Sequence, residues 1–367
     1  MTLIFDGHLD LAMNALGYER DQRLTVAQLR QREARWSASE PGLCTTSVEQ
    51  MRRSGVPACL STVIARARQT SGTQPGSRFN LDMPTQDMAY AVAQGQLAYY
   101  RALERQGCVS VITSSPQLQR HWEQWLRPDA EVLPPVGVIV TMEGADPIVE
   151  PRELADWWRQ GLRTLMLAHI GPAVYAGGTP TKHFPADAPV SALGRELIKE
   201  MMSLKMALDL THLCEQSFFE AIDLFHGPVY ASHSNCRALA NTPRQLSDRQ
   251  IKLILERNGV IGVALHVGML RLGATGEKGL RREVGLEAVA QHIDHICQLA
   301  GDAKHAALGT DLDGGFGVED CPHDLDTVAD LPRLCESLRS RGYGDTDIAG
   351  ILHGNWLNYW LDHLPEK

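Results

Sequence analysis

Short apolar runs alternate along this chain with longer stretches of helical spacing, and that alternation restricts the fold more than any other feature of the sequence. The runs are Thr2–Phe5, Val56–Ile64, Val136–Met142, Arg163–Ala168, Met206–Thr211, Pro228–Ser232, Val260–Leu265 and His305–Thr310. Each is rich in Val, Ile, Leu or Ala without strict alternation, as in strands buried on both faces of a parallel sheet. A weaker run, Val109–Thr113, suits an accessory strand. Amphipathic helices are expected at Asp87–Gln106, Pro151–Gln160, Ala192–Leu204, Ser217–Leu224, Ser247–Asn258 and Leu286–Ala300. Strand and helix patterns in turn predict a parallel α/β architecture. Eight runs favour a (β/α)8 TIM-type barrel with inserted loops over an open sheet.

Two segments read as insertions. Gly72–Pro84 is a loop rich in Gly, Ser, Thr, Pro and Asn, and Gly171–Ala188 carries Pro172, Pro180, Pro185 and the pair Gly177-Gly178. Both follow expected strands, on the side where barrels build active sites. No linker composition divides the chain, so one barrel domain over residues 1–367 is expected. With 44% hydrophobic and 22% charged residues the chain can pack a core throughout. A formal net charge of −9 argues against a nucleic-acid backbone or an anionic membrane as partner. The N-terminus lacks the basic and apolar regions of a signal peptide, and no apolar run is long enough to span a membrane. The C-terminus offers no hydrophobic tail for a lipid anchor. Eight cysteines occur without a Cys-x-x-Cys pair. In a chain long enough to build its core without staples, such scattered thiols point to a reducing cytoplasm.

The placement of polar residues carries the chemistry. The first run leads into His8-Leu9-Asp10, the third into Glu143, the fourth into His169 and the fifth into His212. The sixth ends in His233 and the eighth in Asp311. Barrel strand ends converge on one mouth, so residues far apart in sequence become neighbours there. A single histidine after a strand is more often a hydrogen-bonded structural residue than a ligand. Metal-binding or acid/base residues at six strand ends are harder to explain that way. Imidazole with carboxylate suits zinc and similar divalent ions. The number of donors exceeds what one catalytic ion needs and points to two metals bridged by a carboxylate, which is hydrolase chemistry.

Other features read more plainly. His121, His183, His226, His323, His353 and His363 are expected on the surface or in loops, and His292 and His295 in solvated or capping positions. Trp122, Trp125, Trp157 and Trp158 are expected to pack helices, not to stack on bases. Gly314-Gly315 lacks a phosphate-loop signature and reads as a turn.

The ordered set Asp6-Gly7-His8-Leu9-Asp10, Met142-Glu143-Gly144, Asp209-Leu210-Thr211-His212, Ser232-His233-Ser234-Asn235, Gly309-Thr310-Asp311-Leu312-Asp313-Gly314 and Gly354-Asn355 resembles the membrane (renal) dipeptidase family of metallopeptidases. That family belongs to the amidohydrolase-like barrels, and the resemblance runs from residue 6 to about residue 357. It implies two divalent ions per chain, zinc by the donor set. His8 and Asp10 would hold one, His212 and His233 the other, and Glu143 would bridge them. Asp311 would be the acid/base, with Asp313 supporting the loop. His169 resembles the histidine that steadies the developing oxyanion. Arg244 resembles an arginine beside the substrate, where a guanidinium fork suits a terminal carboxylate. The implied activity is hydrolysis of dipeptides, including those with a C-terminal D-residue, by attack of a metal-bridging hydroxide, and the implied assembly is a homodimer.

The sequence departs from the family after His169, where Ile170-Gly171-Pro172-Ala173-Val174-Tyr175 replaces a more polar stretch. The seventh run ends in His266, which reads equally as a substrate contact or a plain strand-end residue. The alternatives are another amidohydrolase-type reaction (an amidase, lactamase, lactonase or deaminase on a small molecule) and a metal-retaining barrel that only binds its ligand.

Overall fold

The computed structural model describes residues 2–35, 42–68, 80–127, 132–183, 187–274 and 283–367. Its strands are β1 Phe5–Leu9, β2 Ala58–Val63, β3 Arg66–Ala67, β4 Asp82–Met83, β5 Val109–Val111, β6 Val136–Met142, β7 Leu162–Met166, β8 Ala207–Asp209, β9 Val229–Tyr230, β10 Ile261–Val263 and β11 Ala306–Leu308. Every residue of β1, β2, β6, β8, β9, β10 and β11 is buried, which explains why these runs lack polar alternation.

The strands form a curled parallel sheet in the order β1-β2-β6-β7-β8-β9, with β5 paired outside this path to β6 and a separate pair β10-β11. The curl continues from β9 to β10 through two backbone bonds: Ala231 N–H to Val260 O at 3.0 Å and Gly262 N–H to Ala231 O at 2.8 Å. At the far edge, Asp311 N–H donates to His8 O at 3.2 Å, so the segment after β11 meets β1. Gly309 lets the end of β11 approach the segment after β9, since a Cβ there would lie 1.7 Å from Ser232 O.

Helices flank the sheet close to the expected places, at Gln86–Arg105, Ala192–Ser203, Asp248–Glu256 and Leu286–Ala300. Thr85, Ser191 and Ser247 cap the first three through side-chain oxygens that accept backbone N–H bonds. Between the sheet and these helices lies one large apolar cluster. A second fills the inside of the curl, where Trp356, Tyr359 and Trp360 of the C-terminal helix Asn355–His363 pack on Phe5, Leu60, Ile139 and Tyr230. Trp356 Nε1 donates to Leu308 O at 2.7 Å, and Asn355 Nδ2 donates to Ala303 O and Ala306 O, both at 2.7 Å.

The first strand departs from expectation. It runs Phe5–Leu9 and not Thr2–Phe5, so His8 lies within the strand. Polar residues can occupy this strand because they are paired: Asp6 accepts from His8 N–H at 3.1 Å and from Thr310 N–H at 2.8 Å. The Gly72–Pro84 loop lies mostly outside the described residues, and its end forms β4, which pairs with β3. Pro185 of the second insertion is also outside them. The described part of that insertion folds back through bridges Ile170–Thr179 and Gly178–Leu213.

Candidate metal centre

The C-terminal mouth of the sheet collects side chains from six segments. His8 projects from β1, and Asp10 precedes the helix Leu11–Gly17. Glu143 follows β6, His169 β7, His212 β8, His233 β9 and Asp311 β11. His212 and Asp311 both take left-handed backbone conformations, with φ of 69° and 58°, which few non-glycine residues adopt without outside support.

Glu143 is the centre of the arrangement. Its Oε2 lies 3.6 Å from His8 Nε2. Its Oε1 lies 3.1 Å from His212 Nε2, 3.5 Å from His233 Nε2 and 3.7 Å from His169 Nε2. His8 Nε2 is also 3.9 Å from Asp10 Oδ1 and 3.8 Å from Asp311 Oδ1. Donor atoms meet in three overlapping groups, His8/Asp10/Glu143, Glu143/His212/His233 and His8/His233/Asp311, each within 4.8 Å. The structure therefore brings together every expected ligand.

The donor set fits a divalent cation. Among the described residues neither nitrogen of the fully buried His8 ring has a hydrogen-bond partner, an arrangement that costs free energy unless something else satisfies them. Burial pushes Glu143 up to about 7 and, with Glu143's charge adding, pushes Asp10 up to about 7. Burial also drives Asp311 well above the carboxylate range, with Asp10 and Glu143 adding. His212 and His233 fall well below the ordinary imidazole value, first by burial and then through cations that include Arg244. Acids that resist ionising and imidazoles that resist protonation share one remedy, a metal ion among them.

The next layer orients the donors. Thr179 Oγ1 is 2.9 Å from His212 Nδ1 and donates to His212 O at 3.1 Å; Ser232 Oγ lies 2.8 Å from His233 Nδ1, and Thr62 Oγ1 donates to Asp10 Oδ1. Asp209 Oδ1 accepts from the backbone N–H groups of Thr211 and Ser232, both at 3.0 Å, pinning the two turns that carry His212 and His233. Asp6 does the same for β1 and Thr310. Both acids open motifs of the ordered set, Asp6 two residues before His8 and Asp209 three before His212, but the sequence alone gives neither a role.

Asp313 turns away from the cluster. It accepts from Thr45 N–H at 2.8 Å and Thr45 Oγ1–H at 2.6 Å, and lies 3.4 Å from Arg20 Nη1. Gly314 makes room for Asp311, because a Cβ there would lie 1.9 Å from Asp311 Oδ1. Gly314 N–H donates to Asp311 O, as expected of a turn.

A cavity of about 330 Å³ opens over the cluster. Arg244, His169 and Asp311 line it with Tyr18, Met269 and Phe316. Arg244 donates to His233 O at 2.8 Å and Ser234 Oγ at 3.3 Å. His266 also faces the cavity; its Nδ1 accepts from Gly268 N–H at 3.2 Å, and its ring meets Phe316 edge-on with centroids 4.8 Å apart.

Two of the plainer histidine expectations change. His292 is fully buried, not solvated: Nδ1 accepts from Cys236 N–H at 3.0 Å and Nε2 lies 3.0 Å from Leu270 O. His121 is also buried, with Nε2 2.8 Å from Pro57 O. Both ring faces are apolar enough for the core while both side chains find backbone partners. Trp122, Trp125 and Trp157 are buried helix residues, and Trp158 packs against the core beneath Arg163. Among the described residues no helix is long and apolar enough to cross a membrane.

The sequence profile of the membrane dipeptidases (peptidase family M19) matches residues 1–362. An uncharacterised protein of Klebsiella pneumoniae is 34% identical over 223 residues, 58% of this chain and 77% of its own length. An uncharacterised dipeptidase of Schizosaccharomyces pombe is 27% identical over 226 residues, 61% of this chain; the match spans about half of its length, 53%. Among solved structures, a metallopeptidase of Rhodobacter sphaeroides, liganded with a phosphinate mimic of the dipeptide L-Ala-D-Ala, superposes with a TM-score of 0.76 at 25% identity and covers 99% of both chains.

Proposed function

The chain belongs to the membrane dipeptidase family of metallopeptidases, and from that premise we propose that it is a two-metal hydrolase of dipeptides. One observation carries the reading. The two oxygens of Glu143 face different histidines, Oε2 toward His8 and Oε1 toward His212 and His233. A carboxylate so placed can serve two ions. His8 and Asp10 would hold the first and His212 and His233 the second, both zinc. When bound, such a pair supplies a nucleophile at neutral pH and polarises the scissile carbonyl.

The remaining steps fall to this chain's own residues. Arg244 would take the terminal carboxylate of the dipeptide, since its fork faces the cavity and carries no carboxylate partner within salt-bridge distance among the described residues. Asp311 would accept the nucleophile's proton at Oδ1 and return it to the leaving amine. Its burial, which favours the protonated form, suits it to hold that proton between the two events. His169 would donate to the oxygen of the tetrahedral intermediate.

The curl of the sheet and the bonds at its seams support a complete (β/α)8 barrel over residues 1–367; the homodimer rests on the family resemblance alone. Eight cysteines scattered without a Cys-x-x-Cys pair suit a reducing compartment, the cytoplasm. The reading is tested by hydrolysis of L-Xaa-L-Xaa and L-Xaa-D-Xaa dipeptides before and after chelation. Cleavage that chelator abolishes and zinc restores is expected. Tight metal binding with no cleavage of any dipeptide would reject the substrate and turn attention to amides, lactams or lactones.

A further inference from the structure

The role given to His169 rests on the dipeptidase reading, but the position of its ring proton follows from the residue behind it. Four imidazoles turn Nε2 toward Glu143: His8, His169, His212 and His233. What lies behind Nδ1 divides them. His212 Nε2 lies 3.3 Å from Arg244 Nη2, which can only donate, so Nε2 carries the lone pair and Nδ1–H faces Thr179 Oγ1 at 2.9 Å. Behind His233 Nδ1 stands another hydroxyl, Ser232 Oγ, at 2.8 Å. The His212 ring is set up as a ligand. His169 is set up the other way. Its Nδ1 lies 3.3 Å from Nη1 of Arg66, and a guanidinium has donors only. His169 Nδ1 must accept, and the proton of the neutral ring sits on Nε2.

We propose that Arg66 is a positioning residue that holds His169 in the Nε2–H tautomer, so that the ring presents a donor to the substrate oxygen instead of a fourth lone pair to a metal. The placement of Arg66 is built, not incidental. It opens the short strand β3, and its Nε donates to Asp82, its register partner on β4. The next residue, Ala67, donates its N–H to Asp146 Oδ2 at 2.9 Å, while Asp146 Oδ1 takes Val174 N–H at 3.0 Å. Arg68 Nη2 donates to Ile170 O. Residues 66 and 68 therefore hold the loop after β7 directly, at the His169 ring and at Ile170 O, while Ala67 reaches Val174 of that loop through Asp146.

The test uses zinc-loaded full-length protein labelled with 15N-histidine. Long-range 1H–15N spectra, with His169 identified from its loss in His169→Gln, are expected to show an Nε2-protonated ring in the wild type. In Arg66→Met the ring is expected to move toward the Nδ1-protonated form. On a dipeptide that the wild type cleaves, Arg66→Met should lower kcat about 10²-fold, with KM and zinc content changed by no more than about twofold. Arg66→Lys, which keeps a cationic donor, should recover about tenfold of that loss. In a His169→Gln background, Arg66→Met should add nothing further. An Nδ1-protonated wild-type ring, a spectrum unchanged by Arg66→Met, or losses that multiply in the double variant would each overturn the assignment. If the wild type cleaves no dipeptide, the substrate reading fails while the spectra still decide the tautomer.

Discussion

Replacing Arg20 by Met tests whether the buried network beneath the Asp311 loop is a structural necessity. Arg20 is wholly buried. Its Nε donates to Glu33 Oε1 at 2.7 Å, Nη1 donates to Asn14 Oδ1 at 2.8 Å and Nη2 donates to Gly42 O at 2.8 Å. Nη1 also lies 3.4 Å from Asp313 Oδ2. Methionine fills similar volume but leaves Glu33 and Asp313 as buried acids without their cation. Breaking a buried pair from one side costs about 3–5 kcal/mol. The lower end of that range is expected here, because Asp313 keeps the N–H groups of Thr45 and Thr46 and Glu33 keeps Cys44 N–H. In Arg20→Met/Glu33→Gln one stranded charge is gone, and about 1–2 kcal/mol should return through coupling. The effect should also reach the metals. Asn14 Nδ2 bridges Asp10 O at 3.0 Å and Asp313 O at 2.9 Å, so loosening it should weaken zinc binding about tenfold or more. Urea melts at fixed zinc concentration, followed by far-UV circular dichroism, measure the first effect, and zinc titration the second. A loss below about 1 kcal/mol, or a double variant no more stable than the single one, would refute the reasoning.

Other consequences follow from single contacts. Asp311→Asn should retain both metals and lose turnover by about 10²–10⁴-fold, read from zinc analysis beside kcat. Gly314→Ala places a Cβ against the Asp311 carboxylate, so kcat should fall about 10²-fold with a stability loss of only about 1–3 kcal/mol; unchanged kcat would mean that Asp311 does not need its present rotamer. His292 is held neutral by burial, its pKa lowered to about 4 from an ordinary 6.5. Its native interactions therefore contribute fully above pH 6.5, and the unfolded state gains protons first as pH falls. About 3 kcal/mol should be lost between pH 6.5 and pH 4, and His292→Gln should flatten that part of the stability profile.

The positions of most strands and the clustering of the candidate donor residues are legible because both leave local marks. Strands buried on two faces read as unbroken apolar runs, and Val136–Met142 was placed to the residue. His212, His233 and Glu143 each follow such a run and so announce themselves by position as candidate donors. The first strand was misplaced because Asp6 and His8 break its apolar pattern, and only their partners in the segment after β11 make them tolerable in a buried strand. Long-range pairing left no local mark in other places too. Arg20 lies among ordinary charged residues in sequence, and nothing local indicates Glu33 or Asp313 as its partners. Arg66 and His169 are joined only through folding, which is why the residue behind the ring could not be read beforehand. His292 shows the reverse error: a helix histidine looks solvated until Cys236 and Leu270 close over it.

Crystals of the zinc-loaded protein, with anomalous scattering collected at the zinc edge, test the central claim most directly. The account predicts two ions in each chain on opposite oxygens of Glu143, one with His8 and Asp10 and the other with His212 and His233, and both lost in Glu143→Ala. A single ion, or a pair that leaves the Glu143 carboxylate unengaged, would contradict it.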